Sequence, residues 1–130
     1  MYERDFRDYK KRKLSESDKG RGIKVVATSS PGTLIHVATT SIAANEWDEI
    51  WLKAVNTSAT AVKLTVLWGG NTIPDDEIEI TIPPESGLVD VIQGLVMNTE
   101  AEVRVFAATA NVIVIHGFVN RYEQTPTSRR

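Results

Sequence analysis

The residues best suited to chemistry are two histidines, His36 in Leu34-Ile35-His36-Val37 and His116 in Val114-Ile115-His116-Gly117. Each sits among apolar residues in a run that reads as a β-strand. A zinc site needs three or four ligands. Two histidines on separate strands fall short of that, and both are expected to be structural or half-exposed. The acidic group Asp75, Asp76, Glu77 and Glu79 does not follow the twelve-residue calcium loop. Asp75 and Asp76 fit a turn, and Glu77 and Glu79 fit the wet face of a strand. Ser86-Gly87 lacks the Gly-x-Ser-x-Gly elbow, and Gly69-Gly70 is not followed by Gly-Lys-Ser/Thr. The residues predict no enzyme, no metal and no cofactor.

Two further features invite a functional reading. Asn56-Thr57-Ser58 matches the glycosylation pattern, but its place between two apolar alternations favours a turn. Trp47, Trp51 and Trp68 could be core residues, interface residues or stacking platforms for a sugar.

The elements that must position these residues are strands. Asp48–Trp68 alternates apolar and polar residues on both sides of Asn56–Thr60, the pattern of a hairpin of two half-buried strands. Val105-Phe-Ala-Ala-Thr-Ala-Asn-Val resembles Ala54-Val-Asn-Thr-Ser-Ala-Thr-Ala-Val. It predicts a second hairpin over Glu102–Ala107 and Val112–Tyr122, in an equivalent place in a second sheet. Further strands are expected at Ile23–Thr28, Thr33–Thr39, Glu77–Ile82 and Leu88–Ile92, with a turn at Gln93-Gly94. Ile78, Ile80 and Ile82 alternate with Glu77, Glu79 and Thr81, and Pro83-Pro84 stops that strand. Short strands at this spacing predict an all-β chain, an antiparallel β-sandwich or jelly-roll-like barrel.

Charge divides the chain. Residues 1–22 hold eight Lys and Arg against five Asp and Glu, net +3. Residues 23–120 hold four against eleven, net −7, and residues 121–130 three against one, net +2. The expected organisation is a charged N-terminal arm at 1–22, a β-sandwich at 23–122 and a polar tail at 123–130. An acidic body repels nucleic acid, so none is expected as a partner. No apolar run reaches the ~18 residues of a membrane-spanning helix, and the charged start is not the pattern of a secretory signal. There is no cysteine, hence no disulfide. In the arm, Tyr2, Phe6 and Tyr9 would share one face of a helix if it orders on a partner.

From Lys24 to Tyr122 the chain resembles a known group. The residues that carry the likeness are Asn56-Thr57-Ser58, Val62-Lys-Leu-Thr-Val-Leu-Trp-Gly-Gly70, Pro74-Asp-Asp-Glu-Ile78, Ile82-Pro83, Ser86-Gly-Leu-Val89, Val105–Ile113 and Gly117-Phe-Val-Asn-Arg-Tyr122. They are similar to small virion proteins of tailed bacteriophages, in particular head decoration (cement) proteins. The resemblance implies a non-enzymatic protein, made in the host bacterial cytoplasm, that binds the outer surface of an icosahedral capsid and staples capsomers. Its partners would be the major capsid protein and further copies of itself, with a trimer favoured. Tyr2, Phe6 and Tyr9 would anchor the arm, while Arg7, Lys10, Lys11, Arg12 and Lys13 would meet acidic capsid groups. Trp51 and Trp68 would lie near a subunit interface. The competing expectations are another virion component (head–tail accessory, tail or head-fibre base protein) and a carbohydrate-binding β-sandwich module.

Overall fold

The computed structural model describes residues 7–124. Among them are nine strands and no helix: β1 Arg7–Lys13, β2 Ile23–Lys24, β3 Thr33–Val37, β4 Trp47–Asn56, β5 Val62–Trp68, β6 Glu77–Ile82, β7 Val89–Met97, β8 Glu102–Ala107 and β9 Ile113–Gln124. They form two antiparallel sheets that pack face to face. Sheet A runs β1-β9-β4-β7, with β2 pairing the same strand β9 further along, and sheet B runs β3-β8-β5-β6. Counting β1 and β2 as one position, each sheet has four positions, wired as in a jelly roll.

The all-β sandwich matches expectation, but both expected hairpins are replaced by arches. β4 lies in sheet A and β5 in sheet B, while β8 lies in sheet B and β9 in sheet A. Residues 57–61 and 108–112 therefore carry the chain across the core. The two arches lie side by side, because β4 pairs β9 and β5 pairs β8. They are stitched together where Thr57 N–H and Oγ1 both donate to the Val112 carbonyl at 2.8 Å. Asn56, buried at the end of β4, holds the first arch open. Its Nδ2 donates to the carbonyls of Thr60 (2.8 Å) and Ile82 (2.9 Å), and its Oδ1 accepts from Ser58 N–H at 2.9 Å. A side chain that bonds its own downstream backbone competes with the ladder, so the strand turns out of its sheet here.

The core follows the period-2 pattern. Ile50, Leu52 and Ala54 of β4 and Ile113, Ile115 and Val119 of β9 face Val62, Leu64 and Val66 of β5 and Val103, Val105 and Ala107 of β8. Burying each large aliphatic side chain is worth roughly 1.5–3 kcal/mol, and most of this set is fully enclosed. Ile78 and Ile80 pack against it from β6 as the alternation predicts.

Three boundaries differ from expectation. The strand expected at Ile23–Thr28 ends at Lys24, because Val26 and Ala27 donate instead to Thr33 Oγ1 as the chain crosses to sheet B. Gln93-Gly94 is a bulge within β7 rather than a turn. The charged arm is also not separate from the domain over its described part. Arg7–Lys13 pairs residue by residue with Gln124 back to Phe118, and Leu14 then enters the core at 1% exposure. Composition counts such a segment as too polar to order. Docking on β9 changes this, since tyrosine rings and lysine stems gain apolar surface while their heads stay wet. The same pairing draws Glu123 and Gln124 out of the expected tail into β9.

Candidate functional site

Two polar constellations stand out, one inside the sandwich and one on its surface. The inner one joins four segments. His36 on β3 and Asp48 on β4 are 1% and 0% exposed, and His36 Nε2 meets Asp48 Oδ2 at 2.8 Å. Arg121 on β9 grips the same carboxylate with Nε at 2.7 Å and Nη2 at 3.0 Å, and Thr39 N–H adds a bond at 3.2 Å. Burial pushes Asp48 toward the protonated form, but the hydrogen bonds from His36 and Arg121, with the Arg121 charge, outweigh it and hold the carboxyl below its ordinary range.

The tautomer of His36 follows from its other nitrogen. Ser15 N–H donates to Nδ1 at 2.9 Å, so the ring proton sits on Nε2 and points at Asp48. A Ser-His-Asp relay needs the hydroxyl at the ring. Here the Ser15 hydroxyl turns away, accepting from Val37 N–H at 2.8 Å and donating to Glu16 at 3.1 Å. The arrangement is a buried clamp between the sheets and the segment after β1. His36 is buried, not half-exposed, with both ring nitrogens hydrogen-bonded. The acidic turn also has internal work: Asp76 Oδ2 accepts from Thr72 N–H at 2.9 Å.

The surface constellation is the outer face of sheet A. The residues between the inward-facing ones line up in rows across three strands. Tyr9, Tyr122 and Trp47 form the first row, Lys11, Asn120 and Glu49 the second, and Lys13, Phe118 and Trp51 the third. Tyr9 stacks on Tyr122 with centroids 5.0 Å apart, and Trp47 lies 5.9 Å from Tyr122. Trp51 and Phe118 are nearly parallel at 6.1 Å, and Lys11 Nζ lies 4.5 Å from the Phe118 ring centre. Glu49 Oε1 ties the second row to the third, accepting from Asn120 Nδ2 and Trp51 Nε1, both at 2.9 Å. Aromatic pairs of this kind add about 0.5–1.5 kcal/mol each beyond buried area, so the face is rigid before any partner arrives. Tyr9 remains half exposed at its edge.

The expected binding residues divide accordingly. Tyr2 and Phe6 lie outside the described residues, and Arg7 pairs with Gln124 through the backbone. Tyr9 sits in a strand, not on the helical face expected of it. Tyr9, Lys11 and Lys13 share the aromatic face; Lys10 and Arg12 alternate to the other side of β1, and all five side chains are exposed. Lys13 Nζ donates to the Ser17 carbonyl at 2.9 Å. Trp51 and Trp68 do not form one surface: Trp51 is on the outer face of sheet A, whereas Trp68, on sheet B, packs against the core. Phe118, Tyr122, Glu49 and Asn120 are not among the binding residues expected from the sequence. Their period-2 phase in β9 and β4 is visible, but their meeting depends on the β4–β9 pairing.

Comparison of the chain with protein-family models, with curated proteins and with solved structures gave no match.

Proposed function

We propose that this protein is a non-catalytic structural component of a tailed-phage virion, of the head-decoration type, and that it docks on the capsid exterior through the β1 side of sheet A. The observation that carries this reading is the alignment of Tyr9 and Lys11 with Tyr122, Phe118, Trp47 and Trp51 on one preorganised face at a sheet edge. Tyrosine and tryptophan anchors are enriched in binding hot spots. The exposed run Lys10-Lys11-Arg12-Lys13 offers concentrated positive charge to an acidic partner surface. The sequence resemblance supplies the class of partner, and the jelly roll supports it only in part, since that fold serves both viral capsid and lectin domains.

On a symmetric shell many copies act together, so each contact can be modest. A homo-oligomer, a trimer in the first instance, fits that use. The test is cosedimentation with empty capsids assembled from the cognate major capsid protein, with light scattering on the free protein. Binding by the wild type and its loss in Tyr9→Ala/Lys11→Glu supports the reading. A wild-type protein that stays in the supernatant overturns capsid docking, and undiminished binding by the double variant overturns the assigned face.

A further inference from the structure

Next to the aromatic rows, and sharing Trp51 and Phe118 with them, sheet A carries a second feature. A cavity of about 370 Å³ opens on the outer face, lined by Trp51, Phe118, Gly117, Lys53, Asp90 and Gln93. It lies at the small end of the ~300–1,000 Å³ that ligand clefts occupy. We propose that this cavity is a carbohydrate subsite for one neutral pyranose ring.

The polar side of the cavity is built by an irregularity in β7. Asp90 and Gln93 are three residues apart, so a regular strand would send them to opposite faces. The β4–β7 register slips twice, leaving Val91 and Gly94 as extra residues. The first slip returns Gln93 to the face of Asp90. Asp90 then stands opposite Lys53 and Gln93 opposite Trp51. Lys53 Nζ meets Asp90 Oδ1 at 2.7 Å, and Gln93 Nε2 donates to Asp90 Oδ2 at 3.0 Å. Bulges are over-represented where a strand must re-aim a side chain at a site.

The trio has hydrogen-bonding capacity left over. An ammonium carries three donors, a carboxylate about four lone-pair sites and an amide oxygen two, against the two bonds just described. Donors and acceptors side by side suit vicinal hydroxyl groups, each of which donates and accepts. The aromatic side suits the C–H face of a sugar ring, whose partial positive charge matches the negative face of the π-system. Trp51 is already held by Glu49 through its indole N–H. Gly94 leaves room for it, since a Cβ there would approach the ring to 2.9 Å. A site set before binding loses little entropy when the ligand arrives.

Charge selects a neutral ligand. The single cation of the cavity is neutralised by Asp90, and the surrounding body carries net −7 over residues 23–120. Phosphate and nucleotide ligands are repelled by that field.

The experiment is a titration of the full chain with methyl pyranosides of the gluco, galacto, manno and N-acetylglucosamine configurations, followed by amide and indole NMR shifts. At least one sugar is expected to shift Gly94, Gly117 and the Trp51 indole. Asp90→Ala, at a half-exposed position, is expected to keep the fold and weaken that binding about tenfold, the equivalent of one charge-assisted hydrogen bond. Gln93→Ala, read the same way, gives a second variant should the first perturb the strand. No shift with any of the four sugars overturns the proposal, as does binding that ignores both substitutions. Protection of these residues by capsids alone also overturns it and assigns the cavity to the docking face. Capsid binding and sugar binding are read separately, so either can fail without the other.

Discussion

Asp48 and Arg121 meet between the sheets in a two-pronged ion pair, Oδ1 to Nε at 2.7 Å and Oδ2 to Nη2 at 3.0 Å, one residue from each central strand of sheet A. They are direct cross-strand partners. The carboxylate also holds His36 from sheet B, so one buried charge ties both layers and, through Ser15, the segment after β1.

Asp48→Asn removes the charge but not the shape. Breaking one partner of a buried pair costs about 3–5 kcal/mol, and urea unfolding at neutral pH is expected to show a loss of that order. The pH dependence has a definite sign. The carboxyl is held below its ordinary value in the folded protein, so it stabilises the fold above the unfolded value of about 3.9 and loses that contribution as pH falls through the folded value. The gap in stability between wild type and Asp48→Asn is therefore expected to narrow below about pH 4. A gap that stays constant down to acid unfolding would contradict the assignment.

Leu14 tests whether the charged N-terminal stretch belongs to the domain. It follows β1 directly and is 1% exposed. Leu14→Ala is expected to cost about 2–5 kcal/mol, the range for a buried leucine. A detached arm would give a change near zero. For the same reason, deleting the whole stretch would damage the sandwich, and capsid docking is better tested by point substitution at Tyr9 and Lys11.

Asn56 is expected to behave as a core polar residue and not as a surface acceptor for glycans. Its amide satisfies two carbonyls, at Thr60 and Ile82. Asn56→Ala takes this donor from the buried Ile82 carbonyl, at about 1–3 kcal/mol for a buried group left unsatisfied, while the Thr60 carbonyl keeps the Ser58 hydroxyl at 2.9 Å. Hydrogen exchange at Ser58, whose N–H bonds Asn56 Oδ1, is expected to accelerate together with the loss of stability. Unchanged exchange would remove the arch-pinning role.

Gly117 on β9 packs directly under β4, where an added Cβ would collide with the Trp51 carbonyl. The contact is backbone, which cannot swing aside. Gly117→Ala is expected to cost about 3 kcal/mol, the upper end for overpacking. It should also disturb the Trp51 indole signal, because the collision lies beneath that residue. Gly87→Ala, with open space around its Cβ position, strains the backbone alone and should leave the Trp51 signal in place.

Local pattern carried much of this architecture. The alternation of Ile78, Ile80 and Ile82 with Glu77, Glu79 and Thr81 places β6 and its buried side. The phases of Asp48–Asn56 and Val62–Trp68 identify the core residues of β4 and β5, and Asn56-Thr57-Ser58 marks where β4 must stop. These are properties of neighbouring residues, set by the two-residue period of a strand and by side chains that bond nearby backbone. Partner choice is not of that kind. Whether Asn56–Thr60 closes a hairpin or crosses to the other sheet depends on β9 and β8, which lie far along the chain. Tyr9 meets Tyr122 only through the β1–β9 pairing and Tyr122 meets Trp47 only through β4–β9, and Asp90 and Gln93 share a face only because β7 slips against β4. The charged start misled for a related reason: composition weighs a segment alone in water, whereas Arg7–Lys13 orders against an edge that β9 provides after folding.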